Sequence, residues 1–424
     1  MLDGALSSHD PPPEGHLIRR LLWFFALVYA AEGLSQTGGL ISQPLVYYLK
    51  QVHGWTPSKV TAFGTIFALP WMLKPIYGLI SDFLPLFGYR RKSYLLIASM
   101  AAIAGYFWVT QINAPDALAF ALLIPAYAMA ISSTLSGAVL VENGQRLNES
   151  GRFVNQQWLW SNIAFMAATI IGGQLVQHLA PTTALHAAAG IGAIAPFAVI
   201  IGTLFLIPEQ KVAADLAGMR RTLDGLISAF KRRELWIVAC FIFLYQFSPG
   251  FTTPLFYHMT DDLKFSQAYI GELGSISAAG GIVAALLYRR LLGRLTLKVL
   301  LNVSIAFGTA ATLSYLLLLN ETAAAVLSFC SGVSAMLALV ATMTLAADYC
   351  PPRAEDFSYA VLMSIINLAN AAADNVGLFL YTYLFHANLT PLIWLSAAFT
   401  ALAFVLVPLL RLGDKPQGAP ASFS

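Results

Sequence analysis

The stretch LPWMLKPIYGLISDFLPLFGYRRKSYL, residues Leu69–Leu95, decides the fold of this chain. An apolar segment ends at Asp82, a short loop carries Arg90 and Arg91, and a second apolar segment follows. A carboxylate at a helix end can accept hydrogen bonds from basic residues and from backbone N–H groups of a neighbouring helix. We therefore expect two membrane-crossing helices here, with Asp82 as a gating residue; a plain solvated turn is the alternative.

The composition extends this interpretation to the whole chain. Of the 424 residues, 58% are hydrophobic and 11% are charged, whereas about 25% are charged in a typical soluble domain. A water-soluble domain is therefore excluded, and the net charge of +3 shows no nucleic-acid footprint. The three cysteines have no metal or disulfide spacing, and the sequence has no P-loop, HExxH or GxSxG motif. We expect no cofactor, no metal site and no enzymatic activity.

Apolar runs long enough to cross a membrane occur along the whole chain. A spanning helix needs about 20 mostly apolar residues, because lipid offers no partner for unpaired backbone groups. The first run contains Gly33, Gly38, Gly39 and Pro44, so we expect it to be bent or locally unwound. Counted between charged, Pro, Gly or Asn breaks, there are twelve predicted spans: 17–50, 57–84, 92–112, 115–141, 152–178, 183–207, 233–260, 266–289, 296–319, 322–349, 356–386 and 388–411.

The basic residues set the expected orientation. Of the 24 Lys and Arg residues, only Lys50, Lys59 and Lys264 fall on the side opposite the termini, and Lys74 falls inside a span. By the positive-inside rule both termini are then cytoplasmic. The segment before the first span is polar and Pro-rich, so we expect no cleavable signal peptide. The prediction is a multi-pass protein of the plasma (inner) membrane, surrounded by lipid.

The longest and most charged connection divides the spans into six and six. We predict an N-terminal bundle at 1–207, a cytoplasmic linker at 208–232, a C-terminal bundle at 233–411 and a cytoplasmic tail at 412–424. Residues 215–231 have apolar positions spaced for an amphipathic helix on the inner leaflet, with a disordered linker as the alternative. This arrangement resembles the major facilitator superfamily, and we therefore expect an all-α membrane protein with that fold.

Three blocks of sequence narrow the family. The pattern PWxxKPxYGxxSDxxPxxGYRR, residues 70–91, resembles the folate–biopterin transporter family of that superfamily. Residues 251–271 (FTTPLFYHMTDDLKFSQAYIG) are similar to the seventh loop of the family, and residues 348–370 (DYCPPRAEDFSYAVLMSIINLAN) to its tenth-to-eleventh junction. Less closely, the first block also resembles muropeptide permeases and acetyl-CoA transporters.

The resemblance implies a membrane transporter and suggests gating residues. It makes Asp82, Arg90, Arg91 and Glu142 the candidates for the gate. The chain departs from the family pattern in the fourth span, where Ser133 and Gly137 stand at positions that are usually acidic. A pterin site often uses a carboxylate, so this departure leaves the cargo open.

Ionisable groups within spans are costly and are therefore functional candidates. Glu32 lies about midway along the first span, and Gln36, Gly39 and Gln43 follow at +4, +7 and +11 as one polar stripe. We expect Glu32 and Gln36 to line a cavity; a structural hydrogen bond to another helix is the alternative.

Lys74 is the second candidate, about two helical turns inside the membrane from Asp82. It could extend to the membrane surface. If it faces a cavity, its ammonium group could hold an anionic cargo group, with Trp71 and Tyr77 nearby for ring stacking or merely for packing.

The eleventh span carries the third candidate. Asn367, Asn370 and Asp374 share one helix face, with Asn375 beside them. Amides can orient a cargo, and an acid in a low-dielectric place can carry a proton. Asp374 is our principal binding or coupling residue; a buried polar clamp between helices is the competing interpretation.

Amides in two further spans complete the candidate site. Asn155 and Trp158 lie in an amide-rich start of the fifth span, and Gln246 precedes a Pro249–Gly250 break in the seventh. Each could line a cavity or pack between helices. The sequence thus predicts a secondary active transporter, a proton symporter for a folate, pterin or related organic anion. The alternatives are another cargo, such as a muropeptide or a nucleotide-like solute, and a non-transporting sensor.

Overall fold

The computed structural model describes residues 14–36, 38–147, 149–220, 223, 233–290, 295–349 and 355–410. Apart from one isolated bridge between Leu86 and Tyr89, these residues form helices and loops. Ten of the described helices are long and apolar enough to cross a membrane. They form the second to sixth and the eighth to twelfth predicted spans, and the first and seventh spans are each formed by two helices separated by a break.

The helices of the N-terminal half follow the predicted order. They are Glu14–Ser35 and Ser42–Gln51 (first span), Pro57–Thr65, Leu69–Met72 and Lys74–Phe83 (second), Lys92–Val109 (third), Pro115–Leu147 (fourth), Ser150–His178 (fifth), and Pro181–Gly192 with Ile194–Leu206 (sixth).

The C-terminal half also contains six spans. Its helices are Arg233–Gln246 and Thr252–Tyr257 (seventh span), Gln267–Arg290 (eighth), Leu297–Ser314 (ninth), Glu321–Tyr349 (tenth), Glu355–Phe379 (eleventh) and Leu389–Leu406 (twelfth). The predicted fold class, twelve spans in two bundles of six, is confirmed. We call the membrane face that carries the loop between the second and third spans the linker side, and the opposite face the far side.

The break in the first span has a steric cause. A Cβ atom at Gly39 would lie 2.6 Å from the carbonyl oxygen of Leu34, so only glycine allows the chain to turn this tightly. The helix stops at Ser35 and restarts at Ser42, which confirms the predicted local unwinding. The polar stripe does not continue across the break, because helical spacing applies only within one helix.

The seventh span is broken for a different reason. Pro249 has no backbone N–H to donate, and the helix ends at Gln246 and restarts at Thr252. The freed N–H of Gly250 donates to the carbonyl of Ala373 in the eleventh span at 2.9 Å. The break is therefore fastened to the eleventh span by backbone contact.

The two halves meet along the fifth and eighth spans. A Cβ atom at Gly173 would lie 2.9 Å from the Gln267 carbonyl oxygen, and one at Gly271 would lie 2.4 Å from the Thr169 carbonyl oxygen. The hydroxyl of Ser275 donates to the carbonyl of Met166 at 2.7 Å. Small residues and hydroxyl groups are the usual means of close helix packing in membranes.

The start of the linker is extended and lies against the loop between the second and third spans. The N–H of Val212 donates to the Gly88 carbonyl at 2.8 Å, and that of Asp215 to the Phe83 carbonyl at 3.1 Å. Residues 216–220 are helical. Most of the predicted amphipathic helix at 215–231, and the tail at 412–424, lie outside the described residues, so the domain boundaries stay predictions.

Candidate functional site

A chain of hydrogen bonds links three spans of the N-terminal half deep in the bundle. The ammonium group of Lys74 in the second span donates to Ser133 Oγ in the fourth at 3.0 Å. The Ser133 hydroxyl in turn donates to Glu32 Oε1 in the first span at 3.1 Å. The structure therefore brings together two of the predicted residues, Glu32 and Lys74, through Ser133.

Lys74 also contacts an aromatic ring. Its Nζ atom lies 4.3 Å from the centroid of the Trp71 ring, a cation–π distance. The two residues are three positions apart, at a point where the helix is interrupted at Leu73 and restarts with Pro75 near its N-terminus. Lys74 thus points to Ser133 and Trp71, which favours the cavity interpretation over extension to the membrane surface.

Some polar atoms around this cluster have no hydrogen-bond partner in the part of the chain that the structure describes. They include Glu32 Oε2 and the hydroxyl groups of Tyr29 and Tyr77, all buried. Buried polar groups normally have partners, and an unpartnered one costs about 1–3 kcal/mol. A Cβ atom at Gly137, one turn from Ser133, would meet nothing within 4 Å. The cluster therefore combines free hydrogen-bonding capacity with adjacent space.

The polar face of the eleventh span lies against the second and seventh spans. Asn367 donates to the Trp71 carbonyl at 3.3 Å, and Asn375 donates to Thr65 Oγ1 at 2.7 Å. Asp374 lies beside the break of the seventh span, where a Cβ atom at Gly250 would come 2.3 Å from its Oδ1 atom. Asn370, one turn before Asp374, is exposed.

The remaining predicted residues lie apart from this cluster. Gln246 donates to Thr342 in the tenth span at 2.9 Å, which is a bond between helices. Trp158 packs against the apolar cluster around Ala284 and Met336, so its position favours helix packing over cavity lining. Asn155 is exposed at the linker-side end of the fifth span.

The two glutamines of the first span separate at its break. Gln36 lies in the break, where its N–H still bonds to the Glu32 carbonyl at 2.9 Å. Gln43 instead donates to the carbonyl of Gln267 in the eighth span at 2.7 Å. The prediction of one stripe from Glu32 to Gln43 was therefore wrong, because the chain turns between them.

The four predicted gating residues meet on the linker side. Arg91 pairs with Asp82 at 2.5 Å and also donates to Ser81 at 2.7 Å. Arg90 lies 4.0 Å from Glu142 of the fourth span. All these partners belong to the N-terminal half, so this cluster joins the second, third and fourth spans and does not join the halves.

Glu209, at the start of the linker, is a residue that sequence reasoning missed. Its carboxylate accepts the backbone N–H groups of Arg90, Arg91 and Lys92 at 2.8, 2.9 and 2.8 Å. These groups begin the helix of the third span, where the helix dipole favours an anion. The one sequence signal that could have identified it is a carboxylate directly after a helix end, in the sequence IPEQK.

On the far side the contacts cross between the halves. Lys50 donates to Thr260 at 2.6 Å and forms an ion pair with Asp261, and the Tyr257 hydroxyl donates to the Trp55 carbonyl at 2.7 Å. The only sequence signal for this cluster was Lys50, one of few basic residues on this side.

The bonds between the halves show which side is closed. Hydrogen bonds between the halves join them from the far side to about the middle of the membrane, where Asn367 meets Trp71. The conformation is thus closed on the far side.

A large apolar groove lies elsewhere, on the surface of the third and fourth spans. It measures about 600 Å³, and its lining includes the exposed side chains of Ile97, Trp108 and Phe120. The groove has few polar groups and faces outward, so it suits the hydrocarbon chains of lipids. Its lining does not include Lys74, Ser133 or Glu32.

Comparisons with known proteins agree with this architecture. A family model described as the BT1 family matches residues 35–415. The folate-biopterin transporter of Synechocystis sp. is 27% identical over 413 residues, which cover 93% of this chain and 81% of that protein. Folate transporter 2 of Plasmodium falciparum is 23% identical, covering 91% of this chain and 86% of its own length.

Solved structures share the fold. The nucleoside transporter NupG aligns with a TM-score of 0.69 at 16% identity, covering 93% of this chain and 98% of its own. A D-xylose-proton symporter aligns with a TM-score of 0.66 at 11% identity, covering 95% and 98%. At such identities the likeness shows the fold alone.

Proposed function

The chain belongs to the BT1 family of membrane transporters, and from this premise we propose that it moves a folate, a pterin or a related organic anion by alternating access. Uptake is coupled to protons. The protein lies in the plasma (inner) membrane with both termini and the linker side in the cytoplasm. The names of its relatives, folate and folate–biopterin transporters, support the cargo class.

The observation that carries the proposal is the hydrogen-bonded cluster of Lys74, Ser133 and Glu32 beside Trp71. A cargo carboxylate or ring oxyanion would bind the Lys74 ammonium group, and a planar ring would stack on Trp71. Glu32 Oε2, buried and unpartnered among the described residues, would accept an N–H of the cargo. Each of these groups matches one feature of a folate or a pterin.

Two acids are the proton carriers in this proposal. Asp374 lies beside the broken seventh span, and Glu32 lies beside Lys74. A carboxylate stranded in a low-dielectric place is relieved either by a proton or by a cationic cargo group. A cargo can drive the conformational change only if it binds one state better than the other. The charge compensation at these acids supplies that difference.

The distribution of contacts between the halves supports alternating access. The far side is closed by the cluster of Lys50, Asp261 and Tyr257, so the described conformation would admit cargo from the linker side. Rocking of residues 1–207 against 233–411 would open the far side and close the linker side.

Uptake into proteoliposomes tests the proposal. We expect a labelled folate or pterin to accumulate when a proton gradient is imposed and to fail to accumulate with Asp374→Asn. Lys74→Gln should weaken binding of the anion. A panel that includes a muropeptide and a nucleotide checks the cargo class, and accumulation of one of these instead would overturn the folate assignment. If no solute crosses in any orientation or gradient, the protein is not a transporter of this kind.

A further inference from the structure

Ser133 lies between two opposite charges, Lys74 and Glu32, that make no direct contact with each other. Lys74 and Glu32 make no direct ion pair in the described structure, although both lie in a low-dielectric part of the bundle where attraction is strong. The Ser133 hydroxyl stands between them, with hydrogen bonds of 3.0 and 3.1 Å. A serine hydroxyl has one donor and two acceptor positions, so its donor is fully used by Glu32.

Both charged groups keep unused hydrogen-bonding capacity in this arrangement. Glu32 Oε2 is buried and has no partner among the described residues. An ammonium group has three N–H donors, and Lys74 uses one on Ser133 and turns its charge toward the Trp71 ring. The cluster therefore offers the two remaining N–H donors of Lys74 and one free acceptor on Glu32, on either side of Ser133.

Space for a ligand lies next to Ser133. Gly137 is one helical turn away on the same face of the fourth span, and a Cβ atom there would meet nothing within 4 Å. The Tyr77 hydroxyl, one turn from Lys74, is buried and without a partner in the described residues. A molecule beside Gly137 would thus reach polar groups of the second and fourth spans.

We infer that Ser133 is a specificity-determining residue of the proposed transport site, because it prevents Lys74 and Glu32 from closing into a direct ion pair. The site then selects a cargo that presents an anionic oxygen to Lys74 and an N–H donor to Glu32 within one planar ring system. A purely anionic molecule of the same size satisfies Lys74 and leaves Glu32 Oε2 unpaired. This inference rests on the transport function proposed above and adds the requirement for the N–H donor.

Two planar bicyclic monocarboxylates test the requirement in equilibrium binding to the purified full-length protein. Pterin-6-carboxylate carries ring N–H groups, and naphthalene-2-carboxylate carries none. We expect the wild-type protein to bind the pterin at least about tenfold more tightly, since leaving a buried polar group unpaired is costly. Ser133→Ala should reduce this ratio to about threefold or less, because the two charges then pair directly. Ser133→Thr retains the hydroxyl and should retain the ratio.

Further variants exclude a general loss of folding. Ser136→Ala removes a buried hydroxyl of the same span that has no partner in the described residues, and it should leave the ratio unchanged. Ser133→Asp places a second carboxylate beside Lys74 and should weaken binding of both probes. If Ser133→Ala does not purify as a monodisperse protein, Ser133→Cys, which weakens the hydrogen bonds at similar volume, takes its place.

The outcomes separate the inference from the proposed function. An unchanged preference in Ser133→Ala or Ser133→Cys, with folate or pterin uptake intact in the wild type, overturns the role of Ser133 alone. Equal binding of the two probes to the wild-type protein overturns the N–H requirement. No binding of either probe and no uptake overturn the proposed function together with the inference.

Discussion

Removing the positive charge of Lys50 will weaken the contacts that hold the two halves together on the far side. The Lys50 ammonium group bonds to Thr260 at 2.6 Å, pairs with Asp261 and lies 4.4 Å from the Tyr257 ring centroid. All three partners belong to the C-terminal half. Opening of the far side must therefore break the whole cluster.

The size of the effect follows from burial. The side chain of Lys50 is 12% exposed and that of Asp261 is 51% exposed, so water screens only one partner well. Charge-assisted hydrogen bonds contribute about 1.5–3 kcal/mol, and exposed pairs contribute about 0–1 kcal/mol. Between these limits, we expect Lys50→Met to destabilise the far-side-closed state by about 1–2 kcal/mol, a factor of about 5–30 in its population.

Distances between spin labels on the far side measure this population. Labels at Gln111→Cys and Leu319→Cys report on one half each, and both positions are exposed. We expect Lys50→Met to increase the long-distance population. Asp261→Asn should act similarly, and the double variant should add little to either single variant, because contacting residues are not additive.

Lys59 supplies the matched control. It is another lysine of the far side, is exposed, and forms no ion pair within the described residues, so Lys59→Met should leave the distances unchanged. If Lys50→Met also leaves them unchanged, the contacts around Lys50 do not hold this side closed, and our assignment of the conformation is wrong.

Three further substitutions address the other parts of the molecule. Gly250→Ala places a methyl group 2.3 Å from Asp374 Oδ1, so uptake should fall at least about tenfold, as overpacking costs about 1–3 kcal/mol. Glu209→Gln removes the negative charge of the carboxylate that accepts three N–H groups. It should lower the free energy of unfolding, measured in detergent, by about 2 kcal/mol. Asp82→Asn removes an ion pair of 2.5 Å and should slow transport while equilibrium binding changes by about twofold or less.

Each of these predictions has a control and a contradicting result. Gly190→Ala adds a methyl group where nothing lies within 4 Å and should be silent; normal uptake in Gly250→Ala would contradict the close contact with Asp374. Unchanged stability of Glu209→Gln would show that the linker contact is dispensable. Equal loss of binding and transport in Asp82→Asn would show that this residue does not act as a gate.

Features within one helix could be predicted from the sequence. Hydropathy located the spans, and the glycines around Gly39 predicted the break in the first span, because both depend on local chemistry. The grouping of Asp82 with Arg91 was also predictable, since the two lie at the ends of one short loop.

Contacts between distant spans could not be predicted in this way. In the sequence, Ser133 was notable only because it stands at a position that is usually acidic. In the structure, it links Lys74 and Glu32 by hydrogen bonds. Helical spacing shows which residues share a face, and only packing decides which neighbour that face meets. For the same reason, the contacts of Trp158 in the fifth span and of Glu209 in the linker could be identified only from the structure.

Accessibility of the eleventh span to water decides whether its polar face lines a cargo chamber. A cysteine introduced as Asn370→Cys, in a chain whose three natural cysteines are replaced, lies one turn from Asp374 on an exposed position. We predict that a charged, membrane-impermeant thiol reagent modifies it from the linker side and that pterin-6-carboxylate slows the modification. If the cysteine does not react with the reagent from either side, the polar residues of the eleventh span face lipid or other helices, and the chamber does not exist.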